Sequence, residues 1–143
     1  MKKIFFSLLL FTLINGTFYA QTLKPYTLGA VSELGISEAS ALVRENLKAI
    51  DFKVLGEYMP AADVERWLIV ITSEELISAA GKVGGLTGFA AALRVGLTLE
   101  SGKVNISYTT PEYWLNAYYR DDFEKVESVL APVSERLITV MKG

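Results

Sequence analysis

A chain of 143 residues that contains neither histidine nor cysteine is closed to much of ordinary enzyme chemistry. It can build no Ser-His-Asp triad, thiol nucleophile or disulfide, and it lacks the usual zinc, copper and haem ligands. A formal charge of −2 without any basic cluster also argues against a nucleic-acid partner, since that binding neutralises phosphates with lysine and arginine.

The N-terminal segment reads as a secretory signal peptide. Met1-Lys2-Lys3 is a short basic region, Ile4 to Ile14 is an almost unbroken apolar run, and Thr17-Phe18-Tyr19-Ala20 leads to Gln21. Cleavage is expected at about Ala20, with Phe18 bulkier than the residue preferred two positions earlier. The apolar run is shorter than the roughly 20 residues that span a bilayer, and no cysteine follows it to carry a lipid. The expected product is a periplasmic or secreted domain of residues 21–143 with no stable membrane span and a formal charge of −4 once Lys2 and Lys3 are gone. That length allows one domain around a single core, stabilised by packing alone.

In chain order, Gln21 to Pro25 is a loose lead-in and Tyr26 to Glu33 a first strand, broken at Leu34-Gly35. Ser37 is the predicted N-cap of a helix in which Ile36, Ala39, Leu42, Val43, Leu47 and Ile50 recur at helical spacing. Phe52 to Tyr58 is a second strand and Met59 to Arg66 a polar loop. Trp67 to Ile71, continuously apolar and β-branched, predicts a strand covered on both sides. Thr72 or Ser73 caps a second helix whose stripe is Leu76, Ile77, Ala80 and Val83, with Glu74 and Glu75 placed favourably in its first turn. Gly84, Gly85 and Gly88 end that helix.

Residues 88–109 then carry the clearest signal in the chain. Phe89, Ala91, Leu93, Val95, Leu97 and Leu99 alternate with smaller or polar residues, as do Val104, Ile106 and Tyr108 beyond Ser101-Gly102. A two-residue loop at Ser101-Gly102 places Glu100 opposite Lys103, Leu99 opposite Val104, Leu97 opposite Ile106 and Val95 opposite Tyr108. All the apolar residues then share one face, and Arg94, Thr98, Asn105, Ser107 and Thr109 share the other; a slip of one residue would scramble both. Thr110-Pro111 opens a third helix through Tyr119. After a break at Arg120 to Asp122, a fourth helix turns Phe123, Val126, Val129, Leu130, Val133, Leu137 and Val140 inward, with a kink expected at Pro132. The predicted fold is α+β: a ferredoxin-like βαββαβ core extended by the hairpin strand, an antiparallel sheet with helices on one face, and C-terminal helices.

With these elements in place the chain resembles the DUF 302 family of small bacterial domains of unknown function, from about Tyr26 to Val140. The resemblance is carried by Phe52-Lys53-Val54-Leu55, by the Glu74 to Ala80 helix, by Leu93-Arg94-Val95-Gly96-Leu97 running into Gly102-Lys103-Val104, and by the Thr110-Pro111 step. No proline opens the second helix and no Pro-Cys pair precedes the hairpin, departures that fit a divergent, exported member or a neighbouring family. The resemblance implies a fold and supplies no catalytic residues.

Two surfaces are candidate sites. One is an aromatic cluster of Tyr108, Tyr113, Trp114, Tyr118 and Tyr119, with Tyr58 and Trp67 as further candidates. On a helix Trp114 and Tyr118 share a face, and Tyr119 lies beside Leu115. The other is the polar sheet face around Arg94, with Thr98, Asn105, Ser107 and Thr109, where arginine offers a rigid fork for carboxylate or phosphate. The glycine-rich Gly81 to Gly88 lacks the order of a phosphate loop and reads as a helix stop. Asp121, Asp122 and Glu124 offer oxygen ligands to a hard cation but lie at a helix start, where acids are expected anyway; Asp63 and Glu65 sit in a loop without metal-ligand spacing, and no cofactor is expected. These features predict a non-enzymatic binding or interaction domain that takes a small molecule, an envelope protein or a second copy in a homodimer. A small-molecule enzyme or sensor using arginine, tyrosine and carboxylate chemistry is the alternative, as is a structural partner of an envelope complex.

Overall fold

The computed structural model describes residues 23–142; the predicted signal segment lies outside them. Ser101 and Gly102 both adopt positive φ, 52° and 79°, the pairing that lets a two-residue turn follow the right-handed twist of its strands. The strands it joins, β4 (Leu93–Glu100) and β5 (Lys103–Thr109), pair in the expected register: Glu100 with Lys103, Leu99 with Val104, Leu97 with Ile106 and Val95 with Tyr108. Phe89 to Ala91 leave the ladder. They lie in 3-10 turns over Gly85–Ala91, which follow positive φ at Gly84 and Gly85.

Three further strands flank this hairpin. β1 (Tyr26–Ser32) pairs with β5, β3 (Arg66–Thr72) pairs with β4, and β2 (Lys53–Tyr58) pairs with β3, every pair antiparallel. The sheet order is β1-β5-β4-β3-β2. The α+β class and the antiparallel sheet with added C-terminal helices are as predicted. The pairing differs from the simplest ferredoxin-like order, in which β1 would lie parallel beside β3. Here the hairpin stands between them and takes up both neighbouring positions. The Trp67–Ile71 run is central in the sheet but is not covered on both sides as expected: Ile69 and Ile71 are fully buried, while Leu68 and Val70 stand half-buried on the face without helices.

The helices are α1 (Ile36–Ala49), α2 (Glu74–Val83), α3 (Pro111–Tyr119) and α4 (Glu127–Lys142). Ala39, Val43 and Leu47 of α1 and Val133, Leu137 and Val140 of α4 meet Ile69, Val95, Leu97, Val104 and Ile106 of the sheet in one core. Ser73 caps α2, its hydroxyl accepting from the Leu76 amide at 3.5 Å. Ser37 does not cap α1: the helix starts two residues earlier than that cap would place it, with Gly35 at the N-cap and no side-chain cap bond. Phe123 falls in 3-10 turns over Arg120–Lys125, and α4 begins only at Glu127, so the last inward stripe starts at Val126. Among the described residues no helix is long and apolar enough to cross a membrane.

Register along β1 shifts between Leu28 and Ala30, and Gly29 sits at that irregularity. A Cβ there would lie 2.6 Å from Cβ and Cγ of buried Met141, so α4 packs directly on the β1 backbone. Gly29→Ala is expected to cost about 1–3 kcal/mol through overpacking. It should be read as a lower urea midpoint at unchanged slope; an unchanged midpoint would mean α4 is free to move off β1.

Candidate functional site

Strand registers place side chains in rows across the helix-free face of the sheet. One row runs Leu28, Ser107, Gly96, Leu68 and Tyr58 from β1 to β2. Its middle is small and its ends are large, so the row is concave. Leu28 and Tyr58 at the ends are 60% and 50% exposed, well above what an apolar side chain in a covered sheet would show. The depression measures about 390 Å³ and is lined by Tyr26, Leu68, Arg94, Gly96, Thr98 and Ser107, among others. A Cβ at Gly96 would meet nothing closer than the Ser107 hydroxyl at 3.5 Å, which leaves the floor open.

Arg94 lies beside that floor. Its guanidinium carbon lies 5.2 Å from the centre of the Trp114 ring, within cation–π range. Trp114 in turn packs on Tyr118, ring centres 4.9 Å apart and tilted by 60°, and Tyr118 on Phe89 at 6.3 Å. Helical spacing accounts for this. Trp114 and Tyr118 form one face of α3, while Leu115 and Tyr119 form another that is buried in the core. Tyr113 is exposed and lines a second groove of about 530 Å³ with Leu86, Phe89 and Tyr118.

The remaining predicted residues divide by burial. Thr98, Asn105 and Ser107 lie half-buried on the open face with Arg94. Thr109 is 0% exposed and unavailable to a ligand: its hydroxyl accepts from the Arg94 amide at 3.1 Å. Tyr108 points into the core, where burial pushes its hydroxyl pKa up and a hydrogen bond to Thr27 partly opposes the shift. Tyr119 is buried as well; its hydroxyl has no partner among the described residues, and burial again raises its pKa. Tyr58 ends the concave row on the open face, apart from the α3 aromatics. Trp67 serves another contact, donating to Glu57 at 2.7 Å while Arg44 approaches the same carboxylate at 3.2 Å. Asp122 pairs with Lys125 at 2.5 Å.

Sequence reasoning missed Tyr26, Leu28, Leu68 and Gly96 as parts of the face. The hairpin register alone placed Gly96 opposite Ser107, but the walls depend on which strands flank the hairpin. It also missed Phe89, because Phe89-Ala90-Ala91 reads as a continuation of the strand alternation.

A larger cleft of about 840 Å³ was not anticipated either. It lies where β2 begins, between the end of α1, the start of α2 and α4. Its charges cancel: Lys48, Lys53 and Arg136 face Asp51, Glu74 and Glu75. Lys53 binds Glu74, and Arg136 donates to Glu75 at 2.9 Å while its guanidinium lies 5.0 Å from the Phe52 ring centre. A hydrogen bond from Ser73, then the one from Arg136, holds the Glu75 pKa below its usual value of 4.5. A lowered carboxylate pKa stabilises the fold above the unfolded value and loses that contribution as pH falls through the folded one. Glu75→Gln should therefore cost about 0.5–1 kcal/mol at pH 7, since the pair is partly solvated. The difference from wild type should close in urea titrations as pH drops below 4.5. A gap that persists at low pH would show that the ion pair is not its source.

No family model and no curated protein matches the chain. Among solved structures it is similar to the crystal structure of an uncharacterized conserved protein DUF302 from Bacillus stearothermophilus, with a TM-score of 0.64 and 15% identity. The match covers 84% of this chain and 98% of that one, so it spans nearly all the described elements. At that identity the likeness concerns the path of the backbone. The chain has a DUF302-like fold.

Proposed function

We propose that this chain is an exported, non-enzymatic binding domain whose working surface is the helix-free face of its sheet. The observation that carries this reading is the concave row Leu28-Ser107-Gly96-Leu68-Tyr58, with Arg94 beside its Gly96 floor. Ligand sites combine an apolar concavity with a few placed polar groups, and this face has both. Export rests on the basic and apolar pattern of the first twenty residues.

Self-association on the same face is a second reading. Tyr26, Leu28, Val31 and Tyr58 are all at least half exposed there, and a second copy would take that apolar surface out of water.

Two measurements test the proposal. The intact mass of protein recovered from the periplasm or medium should correspond to a chain starting near Gln21; retention in the cytoplasm with Met1 present would remove the export half. For the face, Gly96→Tyr fills the depression from its floor without touching the core. Amide NMR of wild type against a fragment library, with light scattering in parallel, should show binding or self-association at residues 94–98 and 105–107, and Gly96→Tyr should abolish it. Binding that maps elsewhere, or a wild-type monomer whose face responds to nothing, would overturn the reading.

A further inference from the structure

Resting on that reading of the open face, the geometry points to its ligand class: a small amphiphilic monocarboxylate, its carboxylate forked by Arg94 and its apolar body lying over Gly96. Arg94 has no carboxylate within ion-pair distance and no acceptor for its guanidinium hydrogen bonds among the described residues. Of the basic side chains around the depression, Arg66 is already neutralised by Asp63 at 3.1 Å. No aspartate or glutamate lines the depression. Among the described residues Arg94 is thus the one charge lining the depression that has no counter-ion; Glu100, further along β4 on the same face, accepts from Asn105 at 2.8 Å.

The Arg94 charge is also held in place. The cation–π contact with Trp114 restrains the guanidinium, whose five donors form a planar fork suited to a planar two-oxygen acceptor. One unpaired cation matches a monoanion better than a phosphate dianion, which would keep an uncancelled charge against a half-apolar surface. The rest of the ligand follows from the floor and walls. Gly96 and Ser107 allow an apolar body to approach the backbone, and Leu68 and Tyr26 flank it. A volume of about 390 Å³ lies within the range of small-molecule pockets and is small for a protein interface.

Decanoate and decanol, both below their aggregation limits, are the probes. Decanoate should shift the amides of Gly96 and Ser107 and the indole signal of Trp114, and bind about tenfold or more tightly than decanol, as one charge-assisted contact provides. Arg94→Gln should remove that preference while decanol binding stays as in wild type; unmoved core signals would confirm that the variant folds. Gly96→Tyr should abolish both. Equal binding of the two probes at this face, or an Arg94→Gln variant that keeps the preference, overturns the carboxylate assignment and leaves the face as the binding surface. Silence of these signals towards both probes overturns the carboxylate assignment as well. The fragment and light-scattering experiment then decides separately whether the face binds anything.

Discussion

The two left-handed residues at Ser101 and Gly102 hold β4 and β5 in one register, and the rest of the molecule is indexed to it. Side chains of a strand alternate with a period of two, so this register decides which of them meet the helices. In the register adopted, Leu93, Val95, Leu97, Val104 and Ile106 enter the core. A slip by one residue would turn Arg94 and Asn105 inward and require an unpaired charge to be buried, which costs several kcal/mol or forces neutralisation. Because the hairpin occupies the middle of the sheet, β1 and β3 inherit its register on either side, and β2 inherits it through β3.

Helix α3 ties the core to the open face. It is nine residues long, and its two i, i+4 pairs do different work. Leu115 and Tyr119 close the end of the core, while Trp114 and Tyr118 continue the aromatic surface from Phe89 to Arg94. The order of Arg94 is therefore linked to core packing. Thr109 reinforces the link, since its buried hydroxyl bonds both the amide and, at 3.4 Å, the carbonyl of Arg94. A substitution in α3 aimed at the core would also disturb the guanidinium, which is why the face is better probed from Gly96.

The sheet-face depression and the larger cleft differ in how their charges are used. In the cleft lined by Phe52 and Arg136, Lys53 pairs with Glu74 and Arg136 with Glu75, contacts that join α2 to β2 and to α4. Over the sheet face, Arg94 is left to solvent or to a ligand. Cavity size alone would favour the cleft. Charge bookkeeping favours the face, because a neutralised site offers an incoming ion little that water does not already provide.

Much of this was legible in the residues. Alternation around Ser101-Gly102 determined the hairpin register and sorted Arg94, Thr98, Asn105 and Ser107 away from the core, because a period of two admits no intermediate answer. Helical spacing likewise separated Trp114 and Tyr118 from Leu115 and Tyr119. Tyr108 shares the core face with Val95 by the hairpin register itself, so its place among the site candidates conflicts with that alternation, whereas the burial of Thr109 is decided by packing that the alternation does not report. The strand order was decided only by tertiary structure: β1 and β3 lie far along the chain from one another, and each is compatible with several neighbours until the helices choose a side. The concave row needed that order, as its Leu28, Gly96, Leu68 and Tyr58 come from different strands. Local periodicity thus set which way each side chain points, and long-range pairing set what it points at.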